Sequence, residues 1–223
     1  MMEAMNGTKL MRAAAATLGV LVALLLCGPS AGPAHAAAAT TDGDAISIGN
    51  LDAHAQIDLF VDPMCPFSGK FIREEGEKIA QRIEAGTLHV NLRFVNFLER
   101  LSASGTYDAR AIYAAFVVAG QSQSSEITWA FVEQIFSAEQ QPKEKGATDL
   151  DNDQLAGLAD HVGAPPLAQG LIRFGVPLGY DPHAIGHNNL VALHELPQPG
   201  VPMVVLDGKP VDTDTDWLAA LPR

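Results

Sequence analysis

The sequence predicts an α/β fold in which one small central sheet is split by an inserted block of helices. Three observations predict it. Leu88 to Phe97 alternates apolar and polar residues with period two, and it follows a strand candidate at Gln56 to Val61 and a helical pattern from Pro66. Beyond it lie only helical patterns, at 107–119, 127–138 and 152–162. Strand signals return at Val201 to Leu206, with a turn at Asp207-Gly208, then Pro210-Val211 and a short helix at 214–221. The order is β-α-β, a run of helices, then helix-β-β-α. A strand–helix–strand unit joins a parallel pair through a crossover helix, so both halves share one sheet.

Taken in chain order, residues 1–36 read as a secretory signal peptide. Lys9 and Arg12 form a basic region, Ala13 to Leu26 is apolar apart from Thr17 and Gly19, and Ala34-His35-Ala36 offers a small-residue cleavage site. The apolar run falls short of the roughly 20 residues that span a bilayer. Membrane attachment is expected only if this segment is retained or Cys27 is lipidated. Leu25 and Leu26 stand where a lipoprotein signal wants small residues before the cysteine. The expected location is therefore outside the cytoplasm: periplasm, cell envelope or extracellular space.

Residues 37–50, small and polar, read as a flexible leader with a short strand around Ala45–Ile48, and 51–223 as the main domain. Within the latter, Ile72, Gly76, Ile79 and Ile83 share one helical face, and Gly86 closes that helix. The helical insertion covers about 105–165, with Pro142 to Asp151 as a polar loop and Asp153 as the expected N-cap of its third helix. Leu167 to Tyr180 is broken by Gly170, Gly175, Pro177 and Gly179 and is left unassigned. Asp181-Pro182 starts a helix that runs to about Leu196. Trp129 and Trp217 read as core residues.

The 223 residues are 48% apolar and 18% charged, which suits one globular domain with a sizeable core. Formal net charge is −12; without residues 1–36, 12 basic and 25 acidic side chains remain, a net charge of −13. Such acidity repels nucleic acid, and no cluster of Lys or Arg occurs. Cysteine usage is more informative. The chain has two, and cleavage near Ala36 leaves Cys65 unpaired. In an oxidising compartment, a lone cysteine points to intermolecular pairing or a reactive thiol.

Cys65 stands where a strand has ended and a helix begins. Free N–H groups and the positive end of the helix dipole favour a thiolate there. Pro66 costs no hydrogen bond at a helix start, and Ser68, three residues on, could donate its hydroxyl to the sulfur. The plainer alternative is that Cys65 is a small buried hydrophobe. His183, His187 and His194 share a helical face, as zinc-chelating histidines do, but Gly186, Asn188 and Asn189 weaken that helix, and solvent-facing or helix-capping histidines are the expectation. No metal and no cofactor are expected.

The segment Phe60-Val61-Asp62-Pro63-Met64-Cys65-Pro66-Phe67-Ser68-Gly69-Lys70-Phe71 resembles the active-site region of DsbA-like thioredoxin-fold proteins. There an apolar strand and an acidic residue precede Cys-Pro-x-Cys at a helix start. Gly200-Val201-Pro202, before Met203-Val204-Val205-Leu206, resembles that family's cis-proline loop, and the helical block matches its insertion into a thioredoxin-like fold. The resemblance spans roughly Ile57 to Leu221. It implies that Cys65 and Ser68 occupy the catalytic positions, and that Pro66, Phe67, Val201 and Pro202 form the substrate-binding surface. It also implies that the Val201–Pro202 bond is cis and lies against Cys65, leaving the Val201 backbone free for an extended substrate.

The departure is Ser68, where the family has its second cysteine. Cys65 can then form a mixed disulfide, but another thiol must release it. The expected function is thiol–disulfide exchange through one thiol, of isomerase or mixed-disulfide type and not dithiol oxidation. Its partners would be exported proteins bearing thiols or disulfides and an external thiol reductant. The competing reading is a redox-inactive module that binds peptides or a partner. A third, glutathione-transferase-like chemistry with Ser68 activating a small thiol, sits poorly with a retained Cys65 and an export signal.

Overall fold

The computed structural model describes residues 38–222. The signal-peptide assignment to residues 1–36, with Cys27, lies outside the described residues. Six strands form one sheet in the order β1-β2-β4-β3-β5-β6. β3 (Ala55–Val61) and β4 (Leu88–Phe94) lie at its centre, joined by helix α1 (Pro66–Glu84). They pair in parallel from Ala55 opposite Leu88 to Val61 opposite Phe94. Ile57, Leu59, Val61, Val90, Leu92 and Phe94 are buried. Ile72, Gly76, Ile79 and Ile83 are the buried face of α1, the stripe that the helical period marks. Gly86 follows with φ +69°, a left-handed position that glycine takes without steric penalty.

The first correction concerns the leader. The strand expected around Ala45–Ile48 is present, but it belongs to the sheet and not to a separate leader: β1 (Ala39–Asp42) and β2 (Ala45–Gly49) form an antiparallel pair, and β2 pairs antiparallel with β4, Ile46 opposite Leu92. All of β2 is buried. Its last residue must be glycine, since φ is +106° and a Cβ would stand 2.7 Å from the Leu88 carbonyl oxygen. Ser125 Oγ accepts from the Gly49 N–H at 3.0 Å, which ties the strand to the helical block.

The block comprises α2 (Tyr107–Ser122), α3 (Ser125–Ile135), α4 (Asn152–His161) and α5 (Pro166–Phe174). α2 is buried from Ala111 to Ala119 except at half-buried Tyr113, as expected of a helix whose middle is apolar on every side. Two further corrections fall here. The N-cap of α4 is Asp151, not Asp153: its carboxylate accepts from the Gln154 N–H, and the Gln154 side chain accepts in return from the Asp151 N–H. The unassigned stretch after Leu167 holds α5, started by Pro165-Pro166 and stopped by Gly175 at φ +57°.

Helix α6 (Pro182–His194) is capped as the Asp-Pro signal predicts, with Asp181 accepting from the His183 and Ala184 N–H groups. It ends two residues before the expected Leu196. β5 (Met203–Leu206) returns antiparallel to β3, β6 (Lys209–Pro210) follows across the Asp207-Gly208 turn, and α7 (Trp217–Ala220) closes on the core. Trp129 and Trp217 are buried, and Trp217 stacks on Phe71 with ring centroids 6.0 Å apart. No helix of the described residues is long and apolar enough to cross a membrane.

Candidate functional site

β3 delivers the chain to the site and α1 carries it away. The turn between them is closed by the Cys65 N–H donating to the Asp62 carbonyl at 3.0 Å. Cys65 is the N-cap of α1, with extended φ, ψ of −70° and 120°, and Pro66 follows in the first helical turn. The Gly69 N–H donates to the Cys65 carbonyl at 3.0 Å and begins the helical ladder. Cys65 is thus held at a helix N-terminus, where unpaired N–H groups and the helix dipole favour a negative charge.

Across from it lies the loop before β5. The Val201–Pro202 peptide bond is cis, and Cys65 Sγ lies 3.8 Å from the Val201 carbonyl oxygen as a weak sulfur donor. The antiparallel pairing of β5 with β3, Phe60 opposite Met203, sets this approach, because β3 leads directly into Cys65 and the proline loop leads directly into β5. Cys65 is free and only 5% exposed, whereas neighbouring Phe67 is 68% exposed. The site therefore presents an aromatic ring beside a recessed sulfur.

Ser68 departs from expectation. Its hydroxyl accepts from the Asp62 N–H at 3.2 Å instead of donating to Cys65, and the residue is fully buried. The four motif residues and the proline loop come together, but the hydroxyl belongs to the turn and not to the sulfur.

Beneath the turn lies a group that the sequence reading did not single out. Asp62 is fully buried; its Oδ1 accepts from the Met64 N–H at 2.9 Å and its Oδ2 from the Leu98 N–H at 3.2 Å. Burial pushes its pKa up to about 7, against the lowering effect of the Leu98, Met64 and Cys65 N–H groups. Asp108, in the first turn of α2, is also fully buried, and neither carboxyl oxygen has a hydrogen-bond partner among the described residues. Burial first, then the charges of Asp62, Glu99 and Asp149, push it up to about 9. With Asp108 raised by burial and by the charge of Asp62, the two carboxyls are not both ionised at neutral pH.

The histidines do not converge. His183 Nδ1 pairs with Glu99 Oε2 at 3.2 Å, and among the described residues no group of three or more His, Cys, Asp or Glu side chains is placed to hold a metal. Asn189, which weakens the helix on sequence grounds, is buried and bridges the β1–β2 turn and the end of β4. Its Nδ2 donates to the Asp44 carbonyl at 2.7 Å and the Phe94 carbonyl at 2.9 Å.

A family model described as thioredoxin matches residues 41–164. The chain belongs to the thioredoxin family. Within this thioredoxin family the solved structures it resembles are DsbA-like. The MdbA protein of Corynebacterium diphtheriae, a thiol-disulfide oxidoreductase, superimposes with a TM-score of 0.66 at 28% identity, covering 80% of this chain and 89% of that one. DsbA of Mycobacterium tuberculosis in its reduced form gives 0.64 at 26% identity, over 76% and 85%. The MdbA protein of Corynebacterium matruchotii gives 0.70 at 23% identity, over 84% and 92%, a likeness of fold. Among curated proteins, the serine/threonine-protein kinase PknE of Mycobacterium tuberculosis is 34% identical over 180 residues. The match takes in 80% of this chain but 31% of PknE, so the chain spans about a third of that relative. The chain thus has the DsbA-like thioredoxin fold, with helices inserted into the core, and this fold supports disulfide exchange in general.

Proposed function

We propose that this chain is an exported thiol–disulfide exchange protein that works through one thiol, Cys65. The observation that carries the reading is the placement of Cys65 at the N-terminus of α1, facing the Val201 carbonyl of the proline loop at 3.8 Å. In the exchange step the Cys65 thiolate attacks one sulfur of a substrate disulfide. The substrate S–S bond breaks, a Cys65–S bond forms, and the other substrate sulfur leaves as thiolate. With Ser68 at the second position, release requires a thiol from the substrate or from an external reductant, which displaces Cys65 and leaves a new disulfide behind. Substrate disulfides are therefore rearranged or handed on. Val201 and Pro202, with Pro66 and the exposed Phe67, form the surface against which an extended substrate segment would lie. Export follows from the signal-like residues 1–36 and from the compartment in which disulfides persist.

The test is trapping. Exported proteins that carry disulfides should accumulate as reductant-sensitive adducts of the wild-type chain, and Cys65→Ala should abolish them. The recessed sulfur, 5% exposed at the residue level, favours one second reading, a module that binds peptides or a partner without covalent chemistry. On that reading Cys65→Ala leaves binding intact, while Phe67→Ala weakens it.

A further inference from the structure

The turn that carries Cys65 is gripped from outside by the helical insertion. Gln141 lies in the loop after α3, its own backbone fixed by its N–H on the Ser137 carbonyl at 3.0 Å. Its side-chain Nε2 donates to the Pro63 carbonyl at 3.2 Å and to the Cys65 carbonyl at 2.9 Å. One amide nitrogen therefore uses both hydrogens on the two carbonyls that flank Met64. Its Oε1 accepts from Arg73 Nη1 at 3.2 Å, and the same Arg73 nitrogen donates to the Phe136 carbonyl at 2.7 Å. The orientation of the amide is unambiguous, since carbonyls only accept and a guanidinium only donates.

Gly69 supplies the space. It stands one helical turn before Arg73 on α1, and a Cβ there would run into Gln141 Oε1 and stand 2.6 Å from both Gln141 Cδ and Arg73 Nη1. A residue with a side chain at 69 cannot coexist with the amide where it lies. The glycine, the arginine and the glutamine form one device, built from α1 and from a loop about 75 residues away in sequence.

We propose that Gln141 is a positioning residue for Cys65: it fixes the carbonyls of the Pro63–Cys65 turn, so that the sulfur is held at the helix N-terminus and toward the proline loop. Its consequence for substrates rests on the thiol-exchange reading, but the positioning itself does not. The experiment is iodoacetamide alkylation of Cys65 in the full exported chain at neutral pH, with the thermal midpoint measured on the same samples.

Gln141→Ala and Gly69→Ala should each slow alkylation about five-fold, what one ordinary hydrogen bond is worth. The double variant Gly69→Ala/Gln141→Ala should be no slower than Gln141→Ala, because without the amide the new Cβ meets only the flexible end of Arg73, which can swing aside, and alanine is the better helix former. Gln141→Glu keeps the size and the Arg73 partner but turns an oxygen on the two carbonyls, so alkylation, read well below each variant's thermal midpoint, should slow at least as far as in Gln141→Ala. Wild-type or faster alkylation in both Gln141 variants, or additive slowing in the double variant, overturns the proposal. Alkylation needs no protein substrate, so a wild-type chain that traps nothing refutes the exchange reading and leaves this test standing.

Discussion

Asp108→Asn tests the buried carboxyl pair beneath the thiol turn. In the unfolded chain both aspartates titrate near the ordinary value of about 3.9. In the folded chain burial raises Asp62 to about 7, and burial with the charges of Asp62, Glu99 and Asp149 raises Asp108 to about 9. The folded state therefore holds protons that the unfolded state has already released. Stability is full below the unfolded value and falls as pH rises through the folded ones. Above the Asp62 midpoint the remaining difference is the proton on Asp108, and one proton of difference changes unfolding free energy by at most about 1.4 kcal/mol per pH unit. Asparagine has the size of the protonated acid and cannot ionise. Urea unfolding at about pH 6, 7, 8 and 9, with Cys65→Ala in both proteins to exclude oxidation, reads the slope directly. The wild type should lose stability across that range and Asp108→Asn should lose distinctly less. Parallel curves would refute the reasoning, since Asp108 would then be ionised or solvated in the folded state.

Three further substitutions test how the fold is held together. At Gly186 of α6 an added Cβ would stand 2.5 Å from Asn96 Cγ and 2.8 Å from Asn96 Cβ, so Gly186→Ala should cost about 1–3 kcal/mol in chemical denaturation, the range for overpacking. Asp151→Ala removes the carboxylate half of the reciprocal cap on α4, the acceptor of the Gln154 N–H, and should cost about 1 kcal/mol, whereas Asp153→Ala should cost less because Asp153 does not cap the helix.

The sheet core was legible in the sequence because its strands carry their burial in their pattern. β4 alternates, β3 alternates in part, and α1 repeats with a helical period. β2 was legible only as a short strand around Ala45–Ile48 inside a leader, and β1 was not legible, for a physical reason. β2 is buried at every residue, so no alternation develops, while β1 buries only Ala39 and its small, polar residues resemble a linker. The α4 cap was present as Asp151-Asn152-Asp153-Gln154, in which the glutamine at the third helical position picks Asp151 over Asp153. Asp108 gave no local sign. An aspartate in a first helical turn normally faces water and favours the dipole, and only the packing of α2 reveals that this one is dry. Gln141 sits in a polar loop, and its role depends on a contact with α1 that no local pattern encodes.

Ser68 unites these strands of reasoning. From sequence it is a lost thiol, and it limits the chemistry by its absence of sulfur. In the structure its hydroxyl accepts from the Asp62 N–H, the Asp62 carboxyl accepts from the Met64 and Leu98 N–H groups, and Gln141 donates to the Pro63 and Cys65 carbonyls. The turn is hydrogen-bonded from three sides, and the serine is one of the holders. A site that had merely decayed would leave the buried backbone of this turn short of partners, at about 1–3 kcal/mol for each unsatisfied group. Here the replacement is integrated, and the one thiol of the turn faces the proline loop with its surroundings fixed. That arrangement suits a thiol whose resolving partner arrives from outside the chain.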